Sequence, residues 1–179
     1  MKLDEARTVF LSLLASLESM PVDPWPFLCA SALIEYLTKM VYGSESGAKE
    51  YKQFISVYLA RTNPLYDSFT YASGDKDLPL QMYHVLRCGI VHSFSLIPDS
   101  RAAARGGRPR SVLIAHSGVH LSAYREMSQD AALLVLHDFV ADLTSVVEQI
   151  FLNAGTDPAL ARKIEDHLQQ HPPIIGRFP

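Results

Sequence analysis

Leu78-Pro79-Leu80-Gln81-Met82-Tyr83-His84-Val85-Leu86-Arg87-Cys88-Gly89-Ile90-Val91-His92-Ser93-Phe94 is the stretch whose reading decides the fold. Leu80, Tyr83, Leu86, Ile90, Val91 and Phe94 recur at helical spacing, which predicts a core-facing helix. Asp77 stands where it can cap that helix, and Pro79 falls in the first turn, where backbone N–H groups lack helical partners. Arg87 breaks the pattern, because it lies within the apolar stripe between Tyr83 and Val91. A guanidinium there has to snorkel to water, meet an anion or line a cleft. His92, five residues on, can change protonation near neutral pH. Arg87 and His92 are the candidate catalytic pair.

Other helices flank this one. Residues 3–19 set Leu3, Ala6, Phe10, Leu13, Leu14 and Leu17 on one face. The next helix, opened by Asp23-Pro24 and running to about Tyr42, is apolar round most of its circumference, which predicts a central place. Its narrow polar strip holds Ser31, Glu35, Thr38 and Lys39. A third helix over 49–60 turns Tyr51, Phe54, Ile55 and Tyr58 inward and stops near Asn63-Pro64. Residues 65–73 are aromatic without a clear period and read as irregular or a short helical turn.

Beyond Phe94 the character changes. Residues 98–110 read as a flexible basic loop, with Arg101, Arg105, Arg108 and Arg110 around Gly106-Gly107. Residues 111–116 and 119–124 flank Ser117-Gly118 and predict a small two-stranded hairpin that needs support from the helices. The longest helix is expected over 128–153, with Leu133, Leu136, Val140, Leu143, Val147, Ile150 and Phe151 buried, and Gly155 ending it. Asp157-Pro158 opens a last helix to about Gln170, followed by an extended tail over 174–179. The expected fold is all-α: an up-and-down helical bundle with a small inserted β-hairpin near 111–124. Residues 1–153 form the bundle domain, and residues 154–179 pack on it as a C-terminal helix and tail.

The bulk numbers bound what such a fold can do. A chain of 179 residues, 48% apolar and 20% charged, suits a single core. A net charge of −3 excludes a polyanion binder of the whole-molecule kind, so any nucleic-acid contact is a local patch. Cys29 and Cys88 both fall in predicted helices, which fits a reducing, cytoplasmic setting. Asp4, Glu5 and Arg7 are unlike a signal peptide, and no apolar run approaches the ~18 residues of a membrane span. No phosphate-binding glycine loop or nucleophile elbow occurs. His116-x3-His120 crosses a turn without Cys or carboxylate partners, so neither metal nor cofactor is expected.

Three Arg-x4–6-His pairings occur (Arg87…His92, Arg110…His116 and Arg162…His167), where about one is expected by chance. Arg110 and His116 lie in the loop and the hairpin, and Arg162 and His167 lie beside the Leu160-Ile164-Leu168 stripe and read as a solvated helix face. Only Arg87 is held in an apolar stripe. In a straight α-helix residues five apart lie about 140° round and roughly 8–9 Å apart. Arg87 and His92 therefore converge only if the arginine reaches along the helix or a second subunit completes the site. Gly89 permits close approach of another backbone.

Leu86-Arg87-Cys88-Gly89-Ile90-Val91-His92, late in an all-α bundle, resembles the R-x4–6-H motif of HEPN domains. The resemblance is close over the motif helix and covers residues 1–153 as a loose helical plan. It implies a homodimer whose motif helices meet across a two-fold axis, and a metal-independent endoribonuclease of toxin or defence type. Arg87 would hold the scissile phosphate, and His92 would act as general acid/base while the 2′-OH of the RNA attacks. The polar residue that often follows the motif arginine is replaced here by Cys88. Glu35 would anchor Arg87 from the early helix, or else pair with Lys39 at i,i+4. Tyr83 would hydrogen-bond Arg87 or substrate, or else belong to the core. The arginines at 101, 105, 108 and 110 would guide the RNA backbone, or form a solvated loop. Any antitoxin-like partner would be a separate chain. The alternatives are a non-catalytic helical domain binding RNA or a protein partner, and a purely structural dimer module.

Overall fold

The computed structural model describes residues 1–20, 24–43, 45–90, 109–125 and 130–173. Helix α1 (Leu3–Leu17) buries Ala6, Phe10, Leu14 and Leu17, and carries Asp4 and Glu5 in its first turn, where acids favour the helix dipole. Helix α2 (Trp25–Tyr42) buries residues on most sides, among them Phe27, Ile34, Leu37, Met40 and Val41, as its near-continuous apolar sequence requires. Its buried hydroxyls are satisfied locally: Thr38 donates to the Ile34 carbonyl, and Ser31 shares a 3.2 Å hydrogen bond with Tyr51.

Helix α3 covers residues 48–62, α-helical over Ala48–Phe54, widened to π-helical turns over Ile55–Leu59, and closed by Ala60–Thr62. The aromatic stretch that follows forms one short helix, α4 (Leu65–Ser68). Helix α5 covers residues 78–90 and has two parts: an α-helical start, Leu78–Met82, and π-helical turns over Tyr83–Ile90. The expected helix over 78–94 is thus present through Ile90, with 91–94 outside the described residues, but it is wider than predicted and turns another face inward: Leu78, Met82, Val85 and Leu86 are buried, while Leu80, Tyr83 and Arg87 stand half-buried beside them. Asp77 sits at its N-cap position without a side-chain cap bond; its Oδ2 instead takes Gln81 Nε2 at 3.2 Å and Arg110 Nη1 at 3.0 Å.

The expected hairpin is replaced by a three-stranded mixed sheet. Strand β1 (Arg110–Ala115) runs parallel to β3 (Asp130–Val135), in register from Arg110 opposite Asp130 to Ala115 opposite Val135. Strand β2 (Ala123–Tyr124) pairs antiparallel with β3, so the order is β1-β3-β2 and the two predicted strands never touch as a ladder. Asp130-Ala-Ala-Leu-Leu-Val135 was expected to begin the longest helix. A short apolar run fits either helix or strand, and what decides here is ladders on both edges and burial on both faces.

Gly118 at φ +127° and Leu121 at φ +55° turn the chain back along the edge of β3, where Leu121 N–H donates to the Leu133 carbonyl at 2.7 Å. The longest helix, α6 (Leu136–Thr156), therefore starts eight residues later than expected and runs past Gly155. Helix α7 (Pro158–Gln170) opens as predicted, with Asp157 Oδ1 accepting from the Ala159 and Leu160 N–H groups.

One core joins these elements. Ile164 and Leu168 of α7 belong to the same buried cluster as Phe10, Ile34, Leu86, Val112 and Phe139. The result is a mostly helical protein with α2 at its centre, α5 packed along one side of it, and the small sheet against the start of α5. No described helix is long and apolar enough to cross a membrane.

Candidate active site

Arg87 sits on the widened part of α5, and the widening sets its neighbours. A π-helical turn takes in more residues than an α-helical turn, so side chains four and five apart share a face. Tyr83, Arg87 and Cys88 do so: the Tyr83 hydroxyl meets the Cys88 thiol, and both act on the Arg87 charge. The Tyr83 ring packs edge-on against Tyr51 of α3, with centroids 5.4 Å apart. Burial, then Cys88, pushes the Tyr83 phenol up from its ordinary value.

Across the groove, Glu35 of α2 takes Arg87 with both oxygens. Arg87 Nε donates to Glu35 Oε2 at 3.1 Å and Nη2 to Oε1 at 3.3 Å. Glu35 Oε1 also meets Lys39 Nζ at 3.1 Å, one helical turn away. The two readings of Glu35 in the sequence are therefore not alternatives: one carboxylate serves both cations. Burial raises the Glu35 carboxyl, but the hydrogen bonds from Lys39 and Arg87, and their charges, hold it below its ordinary value. Burial likewise lowers the Arg87 guanidinium, and Glu35 more than offsets it.

These side chains bound a cavity of about 200 Å³ whose wall is Glu35, Thr38, Lys39, Ser46, Gly47, Tyr51, Tyr83 and Arg87. Hydroxyls and two cations dominate it, so it suits a small anion. A separate cavity of about 620 Å³, lined by Phe10, Leu17, Leu33, Tyr36 and Pro173 among others, is apolar and offers no comparable chemistry.

His92, Arg101, Arg105 and Arg108 lie outside the described residues. Arg110 differs from the expectation. It opens strand β1 instead of ending a free loop, and its Nη1 meets Asp75 Oδ2 at 2.5 Å and Asp77 Oδ2 at 3.0 Å. Two carboxylates from the turn before α5 thus engage its charge, and it does not line the Arg87 cavity. Cys29 and Cys88 are free thiols. Among the described residues no group of three His, Cys, Asp or Glu side chains could hold a metal ion.

A second polar cluster escaped the sequence reading. His120 Nδ1 accepts from the Val135 N–H at 3.0 Å, while Nε2 faces Tyr66 Oη at 3.0 Å and Asp142 Oδ2 at 3.4 Å. Tyr66 in turn donates to Asp142 at 3.0 Å. With both ring nitrogens engaged, His120 ties α4 and α6 to the end of β3 and offers no lone pair for proton transfer. Burial, then the Asp142 charge, raises the Tyr66 phenol well above its ordinary value, so it stays a donor. No short-range spacing links residues 66, 120 and 142, so only the fold could reveal them.

Comparison with models of protein families, with curated proteins and with solved structures gives no match to this chain.

Proposed function

We propose that this chain is a HEPN-type, metal-independent endoribonuclease that works as a homodimer, as a toxin or defence effector with a separate antitoxin-like chain. The observation that carries the reading is Arg87, fixed in a fork by Glu35 at the wall of a small cationic, hydroxyl-lined cavity. A guanidinium so oriented can bind a phosphodiester bidentately and stabilise the charge that builds on it in the transition state.

In this reading the RNA supplies its own nucleophile. The 2′-OH attacks the neighbouring phosphorus, forming the 2′-O–P bond as the P–O5′ bond breaks. His92 takes the 2′ proton or returns one to the leaving 5′ oxygen, and His92 of the second copy performs the other transfer. The products are a 2′,3′-cyclic phosphate and a 5′-OH end.

A second reading has its own support. Cys88 occupies the position where a polar residue often follows the motif arginine, and it contacts Tyr83 instead of presenting a strong donor. That favours a non-catalytic helical domain that binds RNA or a protein partner through the same cavity. Labelled tRNA and single-stranded RNA incubated with the chain in excess EDTA separate the two. Cleavage leaving cyclic ends, reduced at least ~100-fold by Arg87→Ala and by His92→Ala, is the result expected of the enzyme. A folded dimer that binds RNA without cutting it moves the assignment to the binding module.

A further inference from the structure

Lys39 is half of an ordinary i,i+4 pair when read along α2, and the reaction just described leaves it idle. Its surroundings give it more to do. Lys39 and Arg87 come from different helices, line the same cavity, and meet the same carboxylate: Glu35 Oε1 lies 3.1 Å from Lys39 Nζ and 3.3 Å from Arg87 Nη2. Among the described residues of this wall Lys39 and Arg87 are the cations and Glu35 is the carboxylate, while Glu50 stands behind it with its Oε2 accepting the Gly47 N–H at 2.9 Å. Thr38, Ser46, Tyr51 and Tyr83 complete the wall with hydroxyls, and Gly47 leaves one side without a side chain.

We propose that Lys39 is a second substrate-binding residue of this cleft and shares with Arg87 one phosphodiester group of a bound RNA. This rests on the reading of the Arg87 cleft as the place where RNA binds. The volume agrees: about 200 Å³ is roughly seven waters' worth, enough for a tetrahedral phosphate and its hydration. The donors agree as well. An ammonium has three N–H groups, and Glu35 takes one; the rest can turn to a phosphate oxygen without giving up the carboxylate. Lys39 is 36% exposed, so bringing it to a ligand needs little desolvation and no repacking of the core. Glu35 is then the positioning residue that holds two like charges close enough to grip a single phosphate.

The test is the salt dependence of binding to a short, labelled single-stranded RNA, with His92→Ala as the uncleaving parent. Lys39→Gln in that parent should weaken binding at every RNA sequence. It should also lower the magnitude of the slope of log K against log[salt] by about one, and Lys39→Arg should restore most of it. A slope and affinity within twofold of the parent in Lys39→Gln, with an unchanged melting curve, overturn the proposal. So does an arginine that fails to rescue, because the role is then not one of charge. The outcomes separate from those of the enzyme reading. Lys39-dependent binding without cleavage by the unaltered chain keeps this proposal and removes the ribonuclease. Cleavage with KM and salt slope indifferent to Lys39→Gln does the reverse. No binding of RNA or inorganic phosphate by the unaltered chain removes both.

Discussion

At Glu35 a single carboxylate meets two cations, and that arrangement predicts a split response to substitution. Glu35→Gln keeps an acceptor oxygen but removes the charge that holds Arg87 and Lys39 together. All three side chains are roughly one-third exposed, so the loss of stability should stay near 1 kcal/mol or below. The effect on RNA should be larger and of mixed sign. The cradle gains a positive charge, so KM should fall, while a less firmly oriented Arg87 should lower kcat. Steady-state cleavage kinetics at fixed ionic strength read both, and unchanged values would show that Glu35 positions neither cation. Arg87 drew attention in the sequence as a charge among apolar neighbours, although the face that α5 buries is Leu78, Met82, Val85 and Leu86, and Arg87 stands beside it. Glu35 was legible only as one of two candidate pairings, since local spacing cannot show that a carboxylate has two oxygens in use. Arg110 was misread for a related reason: the carboxylates that engage it, Asp75 and Asp77, lie a whole helix away in the chain.

Elements show where periodicity is a sufficient guide and where it is not. Helices α1, α2 and α7 follow their apolar stripes, except that Leu13 of α1 is exposed and His167 of α7, expected on a solvated face, is buried; Asp157 caps α7 as its position before Pro158 foretells. Strand β3 does not, because the five apolar residues after Asp130 carry too little phase to separate a period of 3.6 from burial on both faces. Two glycines offer a test, one in the turn that feeds the sheet and one in α6. Gly118 has φ +127°, and a Cβ there would come within 2.9 Å of Leu133 Cδ2 on β3. Gly118→Ala should therefore cost about 1–3 kcal/mol. Gly155, inside the last turn of α6 with nothing within 4 Å of its added Cβ, should respond the opposite way. Gly155→Ala should stabilise by roughly 0.5–1 kcal/mol. Urea midpoints with unchanged m-values measure both, and equal shifts at the two positions would contradict the turn as described. The π-helical turns of α5 were beyond sequence reasoning, because Tyr83–Ile90 has the stripe of an ordinary helix and the widening appears only in the backbone.

For the whole molecule, the burial of α7 against α2 sets an acid limit. The His167 imidazole is buried with no hydrogen-bond partner on Nε2 among the described residues, its ring 4.9 Å from that of Tyr36 and 5.0 Å from that of His171. Burial first, then His171 and Lys39, holds it below the ordinary value of 6.5. The unfolded chain thus binds this proton more readily than the native one. Stability is full above about 6.5 and declines as pH falls towards the native value, with no further loss from this group below it. Glu35 adds a second decline in the same direction, beginning below its ordinary value of 4.5. Urea unfolding between pH 7.5 and about 2.5 should show both, and His167→Gln should flatten the upper one. A pH profile identical in His167→Gln would show that another group controls that range.

The sequence by itself determined the helical class, the centrality of α2, the capped start of α7 and the anomaly of Arg87. Each is written in residues close along the chain, through periodicity, caps and a charge among apolar neighbours. Only the tertiary structure decided that residues 130–135 are a central strand, that His120 locks to Tyr66 and Asp142, and that Glu35 joins Arg87 to Lys39. Those choices depend on partners far away in the chain, and a hydrogen bond or ion pair leaves no local trace until folding brings its two halves together.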